Sequence, residues 1–206
     1  MDLAHVPDGV HPMRVAVARA HPAPKSVAFV GAEGMINVIR EGQFEERIVA
    51  GGRWVELTRI RLQEAFPDVA HRATFVTEWF EDYRMGLGQF DLVVSSFSLH
   101  HVEDKATLFR RVRESIKSGG TFRFADQLSG GTDVNDTLMW KSLLDFMQAP
   151  GNCTETEVQS MMDHSKAHDH HTPLAVHFKL LQDAGFVGID CVWRDAMWTV
   201  ITADVA

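Results

Sequence analysis

At 206 residues, 45% hydrophobic and 23% charged, the chain has the size and balance of one soluble globular domain with a sizeable core. A formal net charge of -8 argues against nucleic acid or an anionic membrane surface as partner, since either selects for a basic face. Two cysteines, Cys153 and Cys191, form no disulfide framework and no zinc-type CxxC pair.

No apolar run reaches the length of a membrane span. Asp2 and His5 stand where a leader needs cationic and then apolar residues. With free thiols, this sets the expectation of a cytoplasmic protein. Taking the elements in order, Pro12 opens a short helix over 13–20, because proline suits a first helical turn. Residues 26–30 read as a first strand, followed by the turn Gly31-Ala32-Glu33-Gly34 and a helix over 35–40. A second strand is expected over 47–50, then a helix carrying Trp54, Leu57 and Ile60, then a third strand over 73–76 that delivers Thr77-Glu78-Trp79.

The most informative stretch is 90–126. Phe90-Asp91-Leu92-Val93-Val94 is the short apolar run of a strand buried on both faces. It breaks into Ser95-Ser96 and reaches Leu99-His100-His101. Leu108, Val112 and Ile116 then form one apolar helical stripe, with Arg110, Arg111 and Glu114 off it. Gly119-Gly120 is the expected helix stop, and 121–125 the next strand. A strand–helix–strand crossover presents its functional residues past the carboxyl end of the strand, where His100 and His101 fall. Downstream, helices are expected over 133–147 and 155–162. A third, opened by Thr172-Pro173, should stop at Gly185. Strands over 187–193 and 197–202 are joined by so short a turn that they must pair antiparallel. The alternation of strands and helices argues a three-layer α/β sandwich.

Three segments in this order and spacing, FDLVVSSFSLHHV, the helix ending IKSGG and the tail TPLAVHFKLLQDAGFVGIDCVW, resemble the class I S-adenosylmethionine-dependent methyltransferases. The resemblance covers nearly all of residues 26–202. It implies a Rossmann-like, mostly parallel seven-stranded sheet with an antiparallel last strand. It further implies a single domain over 1–206, an N-terminal extension at 1–25 and a helical insertion at 133–171 over the active crevice. S-adenosylmethionine is the implied cofactor and a small molecule the implied methyl acceptor; neither nucleic acid nor membrane is a partner, and a homodimer is compatible with it.

By position, the resemblance places cofactor contacts on Gly31, Ala32, Gly34, Gly52, Arg53, Glu78, Trp79, Ser95 and Ser96. Glu78 can accept from the adenine amine, and Trp79 can pack on the ring. Four positions depart from the family pattern: Phe29 stands for a strand-one acid, Glu33 and Met35 for glycines, and Gly52 for the acid that holds the ribose hydroxyls. His100 and His101 are the candidate catalytic residues, as a general base or as substrate contacts, because imidazole titrates near neutrality.

Five of eleven histidines lie between His164 and His177. If helical, His164 and His168 share one face at the spacing metal ligands use, and Asp163, Asp169, His170 and His171 stand close by. The alternative is a polar loop or lid, and no residue is assigned as a metal ligand. Against methyl transfer stand two other readings: a non-catalytic binding or regulatory protein on the same fold, and a metal-binding protein using 164–171.

Overall fold

The computed structural model describes residues 86–206 throughout, the backbone of three earlier strands, and the single positions Ile60, Gln63, Glu64 and Pro67, which are helical. The expected helix over 13–20 and strand over 47–50 lie outside the described residues.

Strands β1 (Ser26–Gly31), β2 (Met35–Arg40), β3 (Thr74–Phe75), β4 (Phe90–Ser96), β5 (Ile116–Gln127), β6 (Val187–Asp195) and β7 (Trp198–Asp204) join in the order β3-β2-β1-β4-β5-β7-β6. β1 runs parallel to β4, with Val30 opposite Ser95, and β4 parallel to β5, with Ser96 opposite Ala125. The ladders β1/β2, β2/β3, β5/β7 and β6/β7 are antiparallel. The sheet is therefore mixed, and the mostly parallel sheet implied by the resemblance is not the one these strands form. The closing pair β6 and β7 is antiparallel, as its short connection requires.

The segment 35–40 departs from the expected helix: it is β2, paired antiparallel to β1 with Gly31 opposite Met35. Ile36, Val38 and Ile39 are β-branched and fit a pleated surface better than a helical one. Three residues between β1 and β2 are also far too few for a parallel crossover.

Helix α1 (Lys105–Ser115) opens on Asp104, whose side chain accepts from the Thr107 amide. It ends four residues before the expected glycine stop. Ile116 takes extended dihedrals and begins β5. Gly119, at φ +76°, instead lets β5 make an excursion, so that Phe90 faces Ile116 but Leu92 already faces Thr121. Helices α2 (Asp133–Gln148), α3 (Glu155–His168) and α4 (Leu174–Asp183) follow. α3 opens on a capping box between Thr154 and Glu157 and runs six residues past its expected end, carrying His164 and His168 on one helical face. α4 starts one residue later than expected, with Pro173 at the cap. The Thr172 hydroxyl pairs with His177 Nδ1 at 3.1 Å instead of capping the helix.

Among the described residues, α1 and α4 cover one face of the sheet. Leu108, Phe109 and Val112 from α1 and Leu181 from α4 pack with Phe122 and Phe124 of β5, all fully buried. The opposite face carries a smaller group, Ala125 and Val200, with Phe97, Trp193 and Trp198 against it.

Candidate functional site

The site is built where β4 and β5 end side by side. Ser95 is fully buried, and its hydroxyl has no hydrogen-bond partner; Ser96, one residue on, is exposed. Phe97 then adopts φ +53°, a conformation that costs a bulky residue energy. Its amide is held by the Ala125 carbonyl at 2.9 Å, and its ring packs edge-on against Trp198. This reversal leads into a 3-10 turn, Leu99–His101, which returns the chain over the end of β5.

Asp126 sits at that end, 1% exposed, and grips His100 twice: Oδ2 accepts from the His100 amide at 3.0 Å, and Oδ1 pairs with Nδ1 of the ring. The Gln127 amide donates to the same carboxylate at 2.8 Å. A carboxylate bonded at Nδ1 fixes the imidazole tautomer and leaves Nε2 with a lone pair.

The segment after α3 closes over this turn. The His170 amide donates to the His100 carbonyl at 2.6 Å, and Lys105 Nζ donates to the carbonyls of Val102 and His170, each at 2.6 Å. Burial pushes the Lys105 ammonium down to about 8, against the pull of Asp126 and Asp169. Held there, Asp169 lies 2.9 Å (Oδ1) from His101 Nδ1 and 3.9 Å from His100 Nε2, while its Oδ2 is 3.8 Å from His171 Nε2. His171 stacks on His100 with ring centroids 5.6 Å apart, pairs through Nε2 with Gln127 Oε1 at 3.0 Å, and meets Trp140 edge-on. His101 meets His164, and His164 meets His168, at 5.6 and 5.0 Å. Burial, then the neighbouring His100, lowers the pKa of both His101 and His171.

Two motifs that stand over sixty residues apart in the chain thus form one polar cluster of histidines and carboxylates. Of the cofactor positions, Ser95 and Ser96 lie at the β4 end, beside Gly31 at the β1 end. Ala32, Gly34, Gly52, Arg53, Glu78 and Trp79 lie outside the described residues, as do Glu33 and the side chains of Phe29 and Met35. Sequence reasoning missed Asp126, Gln127 and Lys105. An aspartate near the end of the strand that follows the Leu99-His100-His101 turn and its helix was the available signal.

Residues 52–124 match the family model described as a methyltransferase domain. No curated protein matches the chain. Among solved structures, the S-adenosylmethionine-dependent methyltransferase SibL in its apo form aligns at 15% identity over 77% of this chain and 43% of its own, with a TM-score of 0.54. YcgJ from Bacillus subtilis aligns at 15% identity over 70% of this chain and 52% of its own, with a TM-score of 0.50. The chain thus spans about half the length of the structures it matches. The domain match covers about a third of the chain, and the solved structures show that it shares their fold. Among the described residues, no helix is long and apolar enough to cross a membrane.

Proposed function

We propose that the protein transfers a methyl group from S-adenosylmethionine to a small-molecule acceptor, with the cofactor at the carboxyl ends of β1 and β4. One observation carries the reading most of the way: the buried Ser95 hydroxyl, with no hydrogen-bond partner, lies where the two parallel strands end together. A buried hydroxyl without a partner costs about 1–3 kcal/mol, and a polar ligand group at that edge would supply the missing bond. Gly31, Ala32 and Gly34 would bring backbone close to the ligand, Gly52 and Arg53 would border the ribose, and Glu78 and Trp79 would meet the adenine.

Bound S-adenosylmethionine supplies a methyl group already activated by its sulfonium. The chain's own task is then to hold the acceptor in line and close, which accounts for much of the barrier reduction in such displacements. His100, with Nδ1 fixed by Asp126, and His101 are the acceptor-side groups. His100 Nε2 takes the acceptor's proton where one must leave, and Asp126 stabilises the imidazolium that results.

Calorimetric titration with S-adenosylmethionine and S-adenosylhomocysteine tests this reading. The expected result is saturable binding in the micromolar range, weakened about threefold to tenfold by Ser95→Ala, the equivalent of one lost hydrogen bond. Folded protein that gives no heat at several temperatures would overturn it and favour a binding protein that has lost the cofactor.

A further inference from the structure

We infer that His100, His101 and Asp169 form a binding site for one divalent transition-metal ion of the zinc class, with Asp126 behind it as the carboxylate that orients His100. Three potential ligand atoms, one from each of the three residues, lie within 4.8 Å of one another. Ligands bonded to one ion at about 2.0–2.2 Å stand roughly 3–3.5 Å apart. His101 Nδ1 and Asp169 Oδ1 are already 2.9 Å apart, and His100 Nε2 reaches that range from 3.9 Å by a shift of about half an ångström.

Asp169 Oδ1 is the decisive atom. It is buried, with the side chain only 6% exposed, and has no hydrogen-bond partner. His101 Nδ1 is close enough to bond it, yet the ring is not aligned to do so. A nitrogen and an oxygen this near, with no hydrogen bond between them, can both reach a single ion.

The group behind His100 agrees. His100 has its Nδ1 engaged by Asp126, so Nε2 is the free nitrogen, the carboxylate–histidine–metal arrangement found around ligating imidazoles. The buried charge agrees too. Among the described residues, Asp126 and Asp169 place two carboxylates beside one ammonium, Lys105, and a cation would offset the remaining negative charge.

Three protein ligands leave at least one coordination position for water or an oxygen of the acceptor. On the acceptor side of the crevice, that position would hold and acidify a hydroxyl that has to lose its proton. The ion site stands on residues described above and does not rest on cofactor binding; with the ion bound, however, His100 Nε2 is a ligand, and the bound ion replaces that nitrogen in preparing the acceptor.

The test uses untagged, full-length protein stripped of metal by a chelator and titrated with Co²⁺ and with Zn²⁺. Expected are one equivalent of tight binding, visible ligand-field bands with Co²⁺, and a rise in Tm. His101→Gln and Asp169→Asn, both checked for folding by circular dichroism, should each abolish the bands. Asp126→Asn should weaken binding about tenfold to a hundredfold through His100. His164→Ala with His168→Ala, which removes the exposed helical pair, should leave the affinity unchanged. Folded protein that binds neither ion would overturn the inference. So would binding that survives His101→Gln and Asp169→Asn but is lost with His164 and His168.

Discussion

His177 is the residue with the largest consequence outside the polar cluster. It is 1% exposed, packed among Phe109 and Phe124, and held by Thr172 and the Pro173 carbonyl. Burial drives its pKa down to about 4, from 6.5. The native state therefore refuses a proton that the unfolded chain accepts below 6.5. Between pH 6.5 and 4 the unfolded state binds more protons, so stability falls as pH falls, by about 3 kcal/mol in all. Urea midpoints measured at pH 7.5 and 4.5 should show this loss in the native protein, and a smaller one in His177→Gln. An equal loss in both would place the acid sensitivity elsewhere. Lys105 makes a second prediction at this scale. Its ammonium ties the His170 carbonyl to the Val102 carbonyl, so Lys105→Met should accelerate hydrogen exchange at the His170 amide while leaving the β5 amides protected.

The elements were legible in the sequence wherever local chemistry alone decides them. The 90–94 strand, the apolar stripe of α1 and the antiparallel closing pair were all readable from pattern. So was the α4 stop at Gly185: its φ of +90° lets its own amide reach Gln182 and the Phe186 amide reach Leu181, closing the helix with two bonds. Gly185→Ala forces an L-residue into that conformation and should cost about 1–2 kcal/mol in a denaturant titration. Helix ends set by distant partners were not legible. α1 gives way to β5 at Ile116 because a ladder to Phe90 competes with another helical turn, and nothing within 105–120 announces Phe90 as a partner. The segment 35–40 was misread for a related reason: apolar residues in a short run fit either period, and pairing to β1 decided it.

At the scale of the whole molecule, the described core is an aromatic stack across layers. Phe109 of α1 faces Phe122 and Phe124 of β5, with ring centroids 6.1 and 5.8 Å apart, and Phe186 extends the stack beside β6. Phe109→Ala should lose about 3–5 kcal/mol, enough to lower Tm by many degrees or to prevent folding. The same packing fixes β4 and β5 side by side, and so sets Ser95, His100 and Asp126 at one edge of the sheet. Half of that site could be read from the chain, as the strand end and its histidine pair. The other half could not, because Asp126, Lys105 and Asp169 acquire meaning only when β5 and the end of α3 are brought to the β4 turn.

The central claim is that this edge receives S-adenosylmethionine, and mapping backbone amide shifts on addition of S-adenosylhomocysteine tests it most directly. The account predicts saturable shifts concentrated at Gly31 and at Ser95, Ser96 and Phe97, with the exposed face of α2 unmoved. Shifts confined to α2 or α3, or none at saturating ligand, would contradict it.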